Sequence, residues 1–215
     1  AWKLGPVLAA GNSIVLKPSE KSPLTALRLA ELAVESGLPA GVFSVVTGFG
    51  HTAGKALASH MDVDGIAFTG STATGRLVAE AAAKRHCPVT LELGGKSPQI
   101  VFDDADIDAA VDGSLFGIFY NSGQSCEARS RLYVHEDVYE EFMSKFVEKT
   151  KKLQLGNPFD KTTHMGAIID KDQLDTIDGY VQSAKKEGAE ILAGGNVTKP
   201  EGYENGFWYE PTIIA

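Results

Sequence analysis

Short apolar runs alternate with longer amphipathic stretches through residues 1–93, and no other feature constrains the fold as strongly. Residues 13–17, 42–46, 65–69 and 89–93 read as strands, brief and rich in Val, Ile, Leu, Phe or Thr. The intervening spacing predicts helices. The first has Ser22 as N-cap, Pro23 at the first helical position, an apolar stripe of Leu24, Leu27, Ala30 and Val34, and Gly37 past its end. Residues 51–59 and 72–84 read as the next two. Strands alternating with helices of about 10–14 residues imply βαβ units and a parallel sheet, whose ligands sit beyond the carboxyl ends of the strands.

After Gly94-Gly95 the texture changes. Strands are expected over 99–102, 132–135 and near Ile191, and helices over 104–119, 137–152 and 171–187. A polar turn, Asn121-Ser122-Gly123-Gln124-Ser125-Cys126, follows the first of these helices. The fold class expected is α/β: a Rossmann-like parallel-sheet lobe over residues 1–94, then part of a second α/β lobe over 95–215. Neither repeats nor low-complexity tracts occur.

Composition enters mainly by exclusion. An apolar content of 43% with 22% charged residues suits a packed core and excludes disordered, collagen-like and disulfide-framework classes. A net charge of −8 argues against a nucleic-acid or anionic-membrane partner, since both favour a basic face. No apolar run approaches the roughly 18–20 residues of a membrane span. The two cysteines, Cys87 and Cys126, lack C-x-x-C spacing, and the five histidines (51, 60, 86, 135, 164) show no paired ligand spacing, so no metal site is expected. Cys87 reads as a small buried filler. The default compartment is the reducing cytoplasm. The chain opens on Ala1-Trp2-Lys3 without Met and closes on Pro211-Thr212-Ile213-Ile214-Ala215, and both ends read as the interior of something longer.

Three strand ends in the first lobe suit a nucleotide. Gly48-Phe49-Gly50-His51-Thr52-Ala53 matches G-x-G-x-x-A between a strand and a helix, but no acidic strand end follows about 20 residues later, so a plain glycine-rich turn stays open. In Phe68-Thr69-Gly70-Ser71-Thr72, Gly70 permits close backbone approach, and Ser71 stands at a helix N-terminus, where free N–H groups favour phosphate. Lys17-Pro18-Ser19-Glu20 ends the first strand, where a cation and a carboxylate could grip a ribose or simply face water. Cys126, in a polar turn rather than on an apolar stripe, is the candidate nucleophile. Glu92, near a strand end, is the candidate general base.

Together these segments resemble the NAD(P)-dependent aldehyde dehydrogenase superfamily. Leu91-Glu92-Leu93-Gly94-Gly95-Lys96-Ser97-Pro98 is similar to its glutamate motif, and Gly123-Gln124-Ser125-Cys126, about 34 residues on, to its cysteine motif. Phe68 to Gly75 resembles the cofactor loop, and Lys17 to Glu20 the ribose-gripping strand end. Gly37-Leu38-Pro39-Ala40-Gly41-Val42-Phe43 and Gly156-Asn157-Pro158 also match family stretches. The resemblance implies that Cys126 attacks an aldehyde to give a thiohemiacetal, that hydride loss to the nicotinamide leaves a thioester, and that water activated by Glu92 hydrolyses it. Glu92 also speaks against the CoA-acylating branch, which tends to lack this carboxylate. Cofactor contacts fall on Lys17, Glu20, Gly50, Phe68, Gly70, Ser71, Leu93 and Gly94.

The resemblance further implies a longer parent of about 450–500 residues that forms a homo-oligomer. An oxyanion-hole asparagine would precede Ala1, and a glutamate gripping the nicotinamide ribose would follow Ala215. Because one oxyanion donor is worth about 10²–10³ in kcat, the 215 residues alone are expected to turn over poorly. Two other classes stay open on the residues: a non-catalytic fragment that binds nucleotide or partners, and a cysteine hydrolase that needs no dinucleotide. The aldehyde is not named by the sequence. A carboxylate at position 20 repels a 2′-phosphate, so NAD is expected over NADP. Values of kcat/KM with the two cofactors check this, and NADP equal to or better than NAD removes the assignment.

Overall fold

The computed structural model describes residues 2–215 and divides into two compact units, Ala1–Leu93 and Gly94–Ala215. The first opens on a short helix α1 (Leu4–Ala9), absent from the sequence reading because Gly5 and Pro6 speak against a helix. Pro6 is tolerated there because it falls in the first turn, where its missing N–H has no partner to lose. Two right-sized crossovers follow. β1 (Ile14–Leu16) pairs in parallel with β2 (Phe43–Val45) across helix α2 (Leu24–Glu35). β3 (Ile66–Thr69) pairs in parallel with β4 (Val89–Glu92) across α4 (Thr72–Ala83), in register Thr69 to Glu92. Between the pairs lie a wide helical turn over Gly50–Gly54 and the short α3 (Lys55–Ser59), together shorter and less regular than the helix expected over 51–59.

The stripe assigned to α2 is corrected. Leu24 is 76% exposed, Leu27 and Val34 are also exposed, and the partly buried positions are Ala26, Ala30 and Ala33. Alanines let a helix approach its sheet closely, so here the small residues rather than the large ones face β2. The cap differs as well: Pro23, in helical conformation, stands at the N-cap position and makes no side-chain cap bond.

The second unit begins with a third parallel pair, β5 (Pro98–Val101) with β6 (Arg131–Val134), joined through α5 (Ile107–Phe119). Asp106 caps α5 by accepting from the Ala109 N–H at 3.1 Å. Then come α6 (Glu136–Lys151) and α7 (Lys171–Glu187), the latter capped by Asp170 and stopped by Gly188 at φ +89°. Beyond α7 the pairing turns antiparallel. β7 (Ile191–Ala193) pairs with β10 (Ile213–Ile214), and β8 (Val197–Thr198) with β9 (Trp208–Tyr209). Those last three strands are two residues each, too short for an alternating pattern to be read from sequence.

The larger core lies in this unit. Val101, Val111, Phe119, Phe142, Phe146, Met165, Ala193 and Ile213 form one cluster, with Phe142 and Val111 fully buried. Burying a Phe or Val side chain completely contributes about 1.5–3 kcal/mol relative to leaving it exposed. Ile168, Val181 and Tyr209 make a second cluster. Tyr209 is buried and its hydroxyl donates to Asp178 Oδ1 at 3.0 Å, pinning β9 to α7. Burial, and then that carboxylate, push the phenol well above its ordinary value of 10.0. The raised folded-state value means that this stabilisation is complete below pH 10 and is lost as the pH climbs through the folded value. Tyr209→Phe is expected to cost about 1–2 kcal/mol at pH 7 and to flatten the fall in stability above pH 10, read by urea denaturation across pH.

Candidate active site

In the first unit, polar groups gather where strands end. Lys17, just past β1, donates to the carbonyls of Pro18 at 2.5 Å and Gly48 at 3.2 Å, and its Nζ lies 3.6 Å from Glu20 Oε2. The ammonium is thus held between the 17–20 strand end and the glycine turn after β2. Glu20's own backbone N–H, and after it the Lys17 charge, hold the Glu20 carboxyl below the usual carboxylate range. Gly48 has φ +147° and lies against Ala53, whereas a Cβ on Gly50 would meet nothing within 4 Å.

The β3–α4 loop is built differently. Ser71 Oγ accepts from the Thr74 N–H at 3.2 Å and donates to Thr74 Oγ1 at 3.0 Å, capping α4. Among the described residues, the N–H groups of Thr72 and Ala73 have no partner. The Phe68 ring covers Gly70 so closely that a Cβ there would lie 2.5 Å from it. Leu93 covers Gly75 on α4 in the same way. The register of β3 with β4 brings Glu92 beside this loop, where the Gly70 N–H donates to the Glu92 carbonyl at 3.1 Å, and the Glu92 side chain is exposed. Lys17, Glu20 and Gly50 therefore surround one pair of strand ends, and Phe68, Gly70, Ser71, Glu92 and Leu93 the other.

Cys126 belongs to the second unit, as does Gly94, whose site a Cβ would leave unobstructed. The Ala128 N–H closes a turn onto the Ser125 carbonyl at 3.2 Å, with Cys126 and Glu127 as its central residues, both exposed. The approach to this turn is strained: Asn121 (φ 51°, ψ 34°) and Ser122 (φ 57°, ψ 33°) are left-handed, followed by Gly123 at φ +71°. Left-handed non-glycine residues cost about 1–2 kcal/mol each, so surrounding bonds must hold them. Asn121 Nδ2 donates to the Gln124 carbonyl at 3.1 Å, and Gln124 Nε2 returns a bond to the Asn121 carbonyl at 3.3 Å. Ser122 Oγ donates to the Gly166 carbonyl at 2.9 Å, and the Ile169 N–H to Gln124 Oε1 at 3.0 Å. A cleft of about 210 Å³ beside this segment is lined by Ser122, Gly123, Gln124, Met165, Ile168 and Tyr209, among others.

Gly95 holds the turn from the other side. A Cβ on Gly95 would fall 2.5 Å from the Cys126 carbonyl oxygen, so only glycine lets the two backbones meet. Downstream, the Arg129 N–H donates to the Gly117 carbonyl on α5 at 3.0 Å, and its guanidinium to Gln99 Oε1 at 3.2 Å. The role of Gly95 as a support for the cysteine escaped the sequence reading, because the two lie 31 residues apart and neither flank signals the contact. A partial hint existed for the left-handed residues, since Asn tolerates that region better than most.

Cys87 is half-buried and near the Val63 carbonyl at 3.5 Å. Asp103, His135 and Asp137 set ligand-capable atoms within 4.8 Å of one another. There His135 Nδ1 accepts the Asp137 N–H at 3.3 Å, which makes it the N-cap of α6.

The description of the aldehyde dehydrogenase family matches residues 1–215. The chain belongs to the aldehyde dehydrogenase family. It is 50% identical over 216 residues to an aldehyde dehydrogenase of Emericella nidulans, covering 100% of this chain and 43% of that protein. It is 52% identical over 218 residues to the mitochondrial aldehyde dehydrogenase 2 of Saccharomyces cerevisiae, covering 100% of this chain and 42% of that one. The crystal structure of PnpE in complex with nicotinamide adenine dinucleotide superposes with a TM-score of 0.95 at 49% identity, over 99% of this chain and 44% of that chain. The chain thus spans less than half the length of the relatives it matches, and within the family its α/β architecture is the expected one.

Gly95→Ala is expected to displace the Cys126 turn at a cost of about 1–3 kcal/mol and to change the rate of Cys126 alkylation by iodoacetamide at least about threefold. Gly113→Ala, on α5 with nothing within 4 Å, serves as the control that leaves the rate unchanged.

Proposed function

We propose that the protein oxidises an aldehyde to a carboxylic acid with NAD, using Cys126 as nucleophile and Glu92 as general base. The observation that carries this reading is the Cys126 turn itself: an exposed thiol at the first central position, braced by Gly95 and by the cross-bonded 121–124 segment, in a chain of this family. On the same reading, residues 1–94 form part of the cofactor lobe and 95–215 part of the catalytic lobe.

NAD fits the first unit on three observations. Lys17 and Glu20 stand side by side with the Glu20 carboxylate exposed, as a ribose diol needs. Gly50 leaves open space where a Cβ would be. The unpartnered N–H groups of Thr72 and Ala73, at the positive end of α4 beyond Ser71, suit a diphosphate. Phe68, Gly70, Leu93 and Gly94 are proposed to wall the cofactor, which when bound supplies the hydride acceptor.

The chain's own groups do the rest. Cys126 Sγ forms a bond to the aldehyde carbon, and the carbonyl electrons move onto oxygen. The Cys126 N–H, without a partner among the described residues, is proposed to donate to that oxygen. Loss of hydride leaves a thioester on Cys126. Glu92 takes a proton from water, the hydroxyl adds to the thioester carbon, and the thiolate leaves as the carboxylic acid departs. The base is required only in this second half, so its loss strands the acyl-enzyme.

The partner is accordingly a small aldehyde, and the parent enzyme is proposed to be a homo-oligomer. No helix among the described residues is long and apolar enough to cross a membrane. The cytoplasm is proposed on the two free thiols, Cys87 and Cys126, with the mitochondrion, named for the yeast relative, as the alternative. Activity of the full-length parent on an aldehyde panel with NAD, followed as NADH, tests the whole reading. Cys126→Ala is expected to abolish turnover. Glu92→Gln is expected to keep an initial burst of NADH and lower steady turnover by about 10²–10⁴. Retained activity in Cys126→Ala refutes the mechanism.

A further inference from the structure

One side chain ties the outgoing end of the Cys126 turn to both α5 and β5. Ala128, buried, closes the turn, and Arg129 follows it directly. The Arg129 N–H reaches the Gly117 carbonyl on α5, and its stem lies over Gly117, with Cδ 2.7 Å from where a Cβ would stand. From there the guanidinium donates to Gln99 Oε1 at 3.2 Å. Gln99 is half-buried on β5 and is fixed in turn from the core side. Its Nε2 donates to Ser114 Oγ at 2.6 Å, and that buried hydroxyl donates to the Ala110 carbonyl at 2.7 Å. With its own proton committed to Ala110, the hydroxyl can only accept from Gln99, so the amide nitrogen faces Ser114 and the oxygen is left for Arg129. Three side-chain bonds therefore run from the backbone of α5 through β5 to the residue that leaves the turn. An acceptor fixed in this way holds an exposed arginine that would otherwise sample many rotamers. The same two segments also meet where Gly95 abuts the Cys126 carbonyl and where the Arg131 N–H donates to the Ser97 carbonyl at 3.3 Å.

We propose that Gln99 and Arg129 are positioning residues for the nucleophile: their bond fixes the outgoing side of the turn, as the 121–124 bonds fix the incoming side. The proposal rests on Cys126 being the nucleophile. Both residues act through the backbone at 128–129, and a small displacement of a reacting atom is enough to slow a reaction severalfold. Three variants separate the bond from the charge. Gln99→Met removes the acceptor and leaves the arginine charge in place. Arg129→Met, at an exposed position, removes both. Gln99→Glu keeps an acceptor oxygen opposite the guanidinium.

Alkylation by iodoacetamide, an uncharged reagent, is followed by peptide mass in the full 215-residue chain, with Cys87 in the other unit as the reference thiol. Gln99→Met and Arg129→Met are each expected to change the Cys126-to-Cys87 rate ratio by the same factor, at least about threefold. Because they sever one bond, the double variant is expected to go no further than either alone. Gln99→Glu is expected to keep the unsubstituted ratio. Should Gln99→Met fail to fold, Gly117→Ala, whose Cβ displaces the arginine stem, takes its place with the same expected ratio. A ratio unmoved in Arg129→Met overturns the proposal, as does one that moves there and not when the acceptor or the seat is lost. In the full-length parent, the single-turnover rate of NADH formation is expected to fall about three- to tenfold in Gln99→Met and Arg129→Met and to be kept in Gln99→Glu. The NAD concentration giving half the maximal rate is expected to stay constant. An unchanged rate, or a change in NAD dependence alone, overturns the positioning role. Cys126→Ala is the separate control: NADH formation retained there overturns the nucleophile assignment itself, whatever the labelling ratio shows.

Discussion

Parallel pairing is the constraint on which the rest depends. Two parallel strands cannot be joined by a tight turn, so each of the pairs β1–β2, β3–β4 and β5–β6 carries a helix across its face. Within the first unit this places the carboxyl ends of paired strands side by side, and their loops with them. That is how Lys17 comes to bond the Gly48 carbonyl, and how Glu92 comes to lie beside Gly70, across sequence distances no local pattern spans. The second unit uses the same pairing at its other end. Gly95 precedes β5 and Cys126 precedes β6, so their contact forms where the two parallel strands begin. The Cys126 thiol thus lies at the amino end of its strand pair, whereas the polar groups of the first unit gather at carboxyl ends.

The Cys126 turn gathers strain immediately upstream. Two left-handed non-glycine residues are unfavourable alone, and they persist because four side-chain bonds from Asn121, Ser122 and Gln124 hold them. Two of those bonds reach the 166–169 segment, which itself packs on the Tyr209 and Val181 cluster. Packing in the smaller core thus supports a turn that carries the thiol. A thiol on such a braced turn has fewer orientations open to it than one on a free loop.

Much of the fold was legible because the period of the pattern was. The strands of the three parallel pairs and helices α4 to α7 fall within three residues of the spans read from sequence, since apolar runs and acidic N-caps such as Asp106 and Asp170 mark them locally. What was not legible had no local signal. The strands β8, β9 and β10 are two residues long and exist only through their partners. The outward-facing leucines of α2 satisfy a helical stripe as well as a buried one would, and only packing shows that Ala26, Ala30 and Ala33 face the sheet. At the site, residue types announced a thiol, a carboxylate and glycine turns, while the bonds that hold them are long-range.

The sequence by itself determined the alternation of strand and helix, the family to which the chain belongs, and the chemical types available at Cys126, Glu92, Lys17 and Glu20. Those properties are written in spacing and composition, which act over a few residues. Tertiary structure alone decided that Gly95 abuts the Cys126 carbonyl, that Asn121 and Ser122 are held left-handed, and that Arg129 turns toward Gln99. The reason is physical: which backbone approaches which, and which charge finds a partner, depend on strand register and core packing between residues tens of positions apart.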